Sequence, residues 1–188
     1  MGGVMTVKRS TVAKVADLAA LVQHECTDVL IQYRNQENLP NDMGSDRLVF
    51  VSPPSSQLDI RSKLQSLHSG LDKCYSLLER AIALEKMELD RDQMSEYKNG
   101  RRRLKEELLN LLKSTEELLK AAGGKPVRNQ DDLEPYHPSN VFHLKLWVYS
   151  VYIEVKLWSK TAFTVMKELQ FAKEPLKRGK RSTRRTRQ

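Results

Sequence analysis

Between residues 60 and 82 the apolar side chains Ile60, Leu64, Leu67, Leu71, Cys74, Leu78 and then Ala81 or Ile82 step by four and three, which lays them in one seam along a helix. Such a helix cannot bury its seam alone, so it needs partner helices. Three further stretches repeat the pattern. From Thr11 to about Gln36, the residues Val15, Leu18, Val22, Cys26, Val29 and Tyr33 share one face. From about Asp92 to Ala122, Met94, Tyr97, Leu104, Leu108, Leu111 and Leu118 point inward. The outer face of that stretch is charged: Arg101, Arg102, Arg103, Lys105, Glu106, Glu107, Lys113, Glu116 and Glu117 read as a solvated surface. The last stretch, from Ser139 or Asn140, has Val141, Leu144, Val148, Val151, Val155, Trp158, Ala162, Val165 and Leu169 at seam positions. Leu146, Trp147, Ile153, Leu157 and Phe163 fall outside that stripe, so this helix is either central to a bundle or partly exposed for a partner.

Breaker residues separate the four. Asn35, Asn38, Pro40, Asn41 and Gly44 end the first helix, and a short apolar run at 47–51 leads through Pro53-Pro54-Ser55-Ser56 to the second. The second is predicted over 56–89, with Asp59 and Ser55 or Ser56 placed to occupy its exposed amides. Gly123-Gly124 stops the third, and a polar connection over 125–138 with three prolines leads to the fourth, capped near Ser139 or Asn140. The first linker is about 20 residues and the last about 16, whereas only a few residues join the middle pair, which makes those two antiparallel neighbours. The expected fold class is therefore all-α: a long-chain four-helix bundle, up-up-down-down, with two long crossover loops and helices about 40–48 Å long.

Composition agrees with this. Aromatics are 6%, and Gly and Pro number only 8 and 7, so strands would be a surprise. The formal net charge is +8, but residues 177–188 hold seven Lys and Arg and no acid, which leaves the preceding residues close to neutral. A nucleic-acid-binding domain would carry its basic excess on the folded surface, where it neutralises phosphates; here the basicity is an appendage. The expected division is a helical domain over 1–174 and a basic disordered tail over 175–188, since the tail has no apolar residue to bury after Leu176 and its charges repel.

No stretch approaches the roughly 20 apolar residues that cross a bilayer, so no membrane insertion is expected. The first residues lack the apolar core of a secretory signal, which is either absent from this chain or not used. Met1-Gly2-Gly3-Val4-Met5-Thr6 also fits the loose N-myristoylation pattern. Cys26 and Cys74 are too few for a disulfide scaffold and are read as small buried hydrophobes or a single bridge. His24, His68, His137 and His143 are scattered, without the i, i+4 spacing of a metal site. No phosphate loop, nucleophile elbow or paired-carboxylate pocket is present, so neither an enzyme nor a bound cofactor is expected. There is no N-glycosylation acceptor.

At the fourth helix, Phe142-His143-Leu144-Lys145-Leu146-Trp147 places an F-x-x-K pattern directly before Leu-Trp, and Trp158 follows eleven residues after Trp147. This resembles the leukemia inhibitory factor, oncostatin M and ciliary neurotrophic factor group of the interleukin-6-type cytokines, and the basic end is similar to the arginine-rich tail of oncostatin M. The motif covers about 30 residues, while helix lengths and linker order extend the likeness to most of the chain. The resemblance implies a secreted, extracellular signalling protein, a growth factor that bridges receptor chains.

It further implies that Phe142 and Lys145 contact a receptor chain of the leukemia inhibitory factor receptor type. A rigid aromatic would fill a desolvated pocket while the ammonium pairs with an acidic or carbonyl group. The structural alternatives are an apolar residue closing the bundle end and an ordinary solvated helix cation. A second face, for the shared signal-transducing receptor chain, is implied on Gln23, Thr27, Ile31 and Arg34 of the first helix, beside His24, and on Glu106, Asn110, Lys113 and Glu117 of the third. In the tail, Arg178-Gly179-Lys180-Arg181 matches the R-x-K-R pattern of secretory processing proteases, and Arg178, Lys180 and Arg181 equally suit a polyanion such as heparan sulfate. A reading from another class is an intracellular helical adaptor or nucleic-acid-associated bundle that uses the same tail.

Overall fold

A computed structural model of the chain describes residues 8–40, 49, 51, 59–89, 94–127 and 137–171. It contains four α-helices, α1 (Arg9–Glu37), α2 (Ile60–Glu88), α3 (Ser95–Ala121) and α4 (Val141–Phe171), and no strand among the described residues. Each helix lies within the stretch its periodicity predicts, to within a few residues at either end. The ends follow local chemistry. The Asp59 carboxylate accepts from the backbone N–H of Ser62 at 2.8 Å, occupying one of the free amides that open α2. The Ser62 side chain, and then this backbone hydrogen bond, hold the Asp59 carboxyl below its usual range. Asn140 does the same for α4, accepting from His143 at 2.9 Å.

α1 stops at Asn38, which takes a left-handed conformation with φ of 51°, a geometry that asparagine tolerates. α3 ends in a Schellman motif: Gly124 N–H returns to the Leu119 carbonyl at 2.9 Å and Gly123 N–H to that of Lys120 at 3.0 Å. Gly123 has φ of +80°, where a side chain would be strained, and this is why the Gly-Gly pair ends the helix.

The seams meet in one core. Val15, Val22, Cys26, Val29 and Tyr33 of α1 face Leu64, Leu67, Leu71, Cys74 and Leu78 of α2, Leu104, Leu108, Leu111 and Leu118 of α3, and Val148, Val151, Val155, Trp158 and Ala162 of α4 across it. α1 and α2 each pack against both α3 and α4 and not against each other. Several expectations at the margins do not hold. Ile60, Met94 and Val141, assigned to seams, are exposed, because each sits at or just before the first residue of its helix, beyond the reach of the neighbouring side chains. Trp147, placed outside the α4 stripe, is buried: α4 meets α1 and α2 together, so its buried arc is wider than a single seam.

Polar groups enter this core. Glu85 has no exposed surface and Arg101 only 4%, and they pair at 3.0 Å. Arg101 was expected on the solvated face of α3; its partner on α2 draws it inward. The Tyr97 hydroxyl donates to the Glu85 carboxylate at 2.9 Å, and the Tyr152 hydroxyl lies 2.6 Å from that of Tyr97. The Tyr152 hydroxyl also reaches the Glu85 carboxylate, at 3.5 Å, so both phenols are held on one acceptor. Burial, and then the neighbouring Tyr152 hydroxyl and Glu85 charge, push the Tyr97 phenol well above its ordinary pKa. A second buried carboxylate, Glu154, accepts from the backbone N–H of Val51 at 3.3 Å, and the Trp158 indole N–H donates to the Val51 carbonyl at 3.2 Å. Val49 and Val51, from the short apolar run between α1 and α2, are buried with them.

Both cysteines are free and buried. No Cα of α1 lies within 8 Å of one in α2, whereas a disulfide spans about 4.4–6.8 Å between Cα atoms, so Cys26 and Cys74 cannot be bridged in this fold. The Cys26 thiol donates to the Tyr152 carbonyl at 3.1 Å, and burial pushes its pKa up to about 12. Burial, then the Glu154 charge, raises Cys74 as well. Thiolate is the reactive form. Neither cysteine is therefore expected to react with a thiol reagent at neutral pH until the protein is unfolded, when both should react; rapid labelling of the native protein would contradict this burial.

Candidate functional site

The start of α4 gathers the residues singled out by the F-x-x-K pattern. Asn140 caps the helix, and the Ser139 hydroxyl is hydrogen-bonded to the His143 ring one turn on, which fixes where the first turn points. Phe142 is 58% exposed on that turn, its ring 6.2 Å from that of His143. It does not close the bundle end. A large aromatic held in water on a rigid helix is a surface a partner can desolvate with little ordering cost.

Lys145, one turn further, is half-buried, and its ammonium pairs with the Glu37 carboxylate at the end of α1. It is thus not an ordinary solvated cation. Its backbone carbonyl accepts from the Tyr33 hydroxyl at 3.0 Å. Tyr33 is itself buried between the rings of Tyr97 and Tyr152, with centroid distances of 5.6 and 5.7 Å. Burial, then the charges of Glu85 and Glu37, raise its phenol pKa, so it stays protonated and can donate. The other Glu37 oxygen accepts from the Gln36 side-chain amide at 2.9 Å, and the Gln36 side-chain oxygen accepts from the N–H of Met94, the residue just before α3, also at 2.9 Å. Glu37, Gln36 and Tyr33 were not singled out as site residues by their spacing; their relation to Lys145 exists only once α1 and α4 are packed.

The other implied residues sit as follows. Ile31 is 53% exposed on α1 and lines a groove between α1 and α3 with Glu25, Asp28, Val29, Gln32, Gly100 and Arg103. Gly100 forms its floor, 3.2 Å from the Gln32 side-chain oxygen at the position a Cβ would take. Gln23, Thr27 and Arg34 are half-buried on α1 and do not line that groove, and the Thr27 hydroxyl is turned back onto the Gln23 carbonyl at 2.9 Å. Glu106, Asn110, Lys113 and Glu117 are all exposed on α3, with Glu106 bonded to Arg102 at 3.1 Å. The exposed Ile31 was legible as an apolar residue among polar neighbours; Gly100 and Arg103 were not, because a groove floor has no sequence period.

Arg178, Lys180 and Arg181 lie outside the described residues. No group of three or more His, Cys, Asp or Glu among the described residues could hold a metal ion, and none of the described helices is long and apolar enough to cross a membrane. Compared with family models, with curated proteins and with solved structures, the chain matches none.

Proposed function

We propose that this chain is a secreted helical cytokine that bridges receptor chains of the interleukin-6 and leukemia inhibitory factor receptor family. The observation that carries the reading is Phe142, a large aromatic exposed on a capped, rigid helix start, with Lys145 one turn away. Phe142 and Lys145 contact a leukemia-inhibitory-factor-type receptor chain. The α1 and α3 surface, with Gln23, Thr27, Ile31, Arg34, Glu106, Asn110, Lys113 and Glu117, engages the shared signal-transducing chain. The mechanism is geometric: two receptor chains held on one rigid body have their cytoplasmic parts brought together. Free cysteines are a liability in an oxidising compartment, and sealing both thiols in the core removes it.

The topology in this reading is up-up-down-down with two long crossovers. Contacts between opposite helix ends support it: Glu37 late in α1 with Lys145 early in α4, Lys63 early in α2 with Glu168 late in α4, and Glu85 late in α2 with Arg101 early in α3. Residues 89–94, which join α2 to α3, reach at most about 25 Å. α2 itself is about 43 Å long, so a short turn must send α3 back alongside it. Residues 38–59 and 122–140 are long enough to recross the bundle.

The test is Phe142→Ala with Lys145→Ala, measured against immobilised ectodomain of a leukemia-inhibitory-factor-type receptor. Binding should fall about 100-fold or more, as for a central anchor pair. The helical circular dichroism should not change, because Phe142 buries little in the free chain. Unchanged binding would remove Phe142 and Lys145 from the contact.

A further inference from the structure

A lysine head on a four-carbon stem is a poor anchor unless something restricts it, since binding must then immobilise a side chain with many rotamers. At the start of α4 that restriction is already built. The Lys145 ammonium is paired with Glu37, whose side chain is only 8% exposed, and the Lys145 carbonyl is held by the Tyr33 hydroxyl at 3.0 Å. Glu37 is held in turn by Gln36, which is tied to the first residue before α3. Two residues of α1 therefore hold this lysine, one of them tied through Gln36 to the entry of α3.

We propose that Glu37 and Tyr33 are positioning residues for the α4 contact, presetting the Lys145 side chain and backbone in the geometry a receptor carboxylate or carbonyl would meet. This rests on the reading that Phe142 and Lys145 bind a receptor. An ammonium has three donors, so a bond to Glu37 leaves two for the partner. The carboxylate is little exposed and stays behind the lysine, so the surface a partner meets is the cation and the Phe142 ring. Tyr33 acts one step back. Its ring is fixed by Tyr97 and Tyr152, so its hydroxyl is a rigid donor that ties the second turn of α4 to the core.

The experiment is a double-mutant cycle on the full chain, with immobilised ectodomain of a leukemia-inhibitory-factor-type receptor as the probe. Glu37→Gln keeps the size but removes the charge that holds the ammonium and leaves one acceptor oxygen where the Lys145 ammonium and the Gln36 amide now use two. It should weaken binding roughly 3–10-fold, the range set by immobilising one rotamer-rich side chain. In a Lys145→Ala background the same change should have less than about a twofold effect, because Glu37 acts only through Lys145. Equal weakening in both backgrounds would show that Glu37 acts through the fold and would overturn the proposal. Tighter binding by Glu37→Gln would overturn it too, since Glu37 would then compete with the receptor for the ammonium. If Lys145→Ala itself binds as the unmodified chain does, the receptor reading of Lys145 fails first, and the two failures are told apart. For Tyr33→Phe, which keeps the ring, hydrogen exchange of amides 141–149 in the free protein should accelerate and binding should weaken by a similar factor. Unchanged exchange and binding would remove Tyr33 from the positioning set.

Discussion

Glu85→Gln is expected to lower the unfolding free energy by about 3–5 kcal/mol, the usual loss when one partner of a buried ion pair is removed. The change is isosteric, so no cavity opens; what is lost is charge. Arg101, 4% exposed, keeps its positive charge in the core but loses the carboxylate it meets at 3.0 Å, and the Tyr97 hydroxyl exchanges a carboxylate acceptor for an amide. At about 2–4 °C per kcal/mol for a domain of this size, the thermal midpoint should fall by about 6–20 °C. A loss below about 1 kcal/mol would mean that the pair is not desolvated as the structure has it.

The converse change separates fold stability from fold specificity. Glu85→Leu, Arg101→Met, Tyr97→Phe and Tyr152→Phe together replace these four polar side chains by apolar groups of similar size. Such replacements are neutral or stabilising by about 1–4 kcal/mol elsewhere, because desolvating the charges costs more than their attraction returns. The same outcome here would mean that the network is kept for what it specifies. It joins α2, α3 and α4 at one level and, through the packed ring of Tyr33, reaches the carbonyl of Lys145.

The seam that runs through Leu71 and Leu78 reaches Glu85 at its next heptad step, and a glutamate in that position reads as the seam's end. Arg101 sits in a run of three arginines, which reads as solvent-facing. Only packing α2 against α3 shows that the two charges answer each other. What depends on a helix's own period was legible: four helices, their apolar faces, Gly123-Gly124 as a stop and the Asp59 and Asn140 caps. The site divides in the same way. Phe142 and Lys145 follow from a local pattern, whereas Glu37, which decides how Lys145 is held, stands at the far end of another helix.

Gly70 is a signal the sequence carries: a glycine inside a leucine-rich helix costs about 1 kcal/mol relative to alanine, so it marks a close approach. A Cβ at Gly70 would lie 2.2 Å from the Trp158 ring, an impossible contact unless the ring moves. The indole occupies the space where a side chain would be, and from there its N–H reaches the Val51 carbonyl. Trp158→Ala is therefore expected to cost about 3–5 kcal/mol, from the cavity left by the ring and from the buried Val51 carbonyl that loses its donor. Gly70→Ala in the native background should also destabilise, by about 1–3 kcal/mol, because the added methyl forces the ring aside. In the Trp158→Ala background the sign should reverse: the methyl enters the vacated space and the helix gains about 1 kcal/mol of propensity. Chemical denaturation of the four proteins measures both effects. If Gly70→Ala shifts stability equally in the two backgrounds, the glycine is not there to admit the tryptophan.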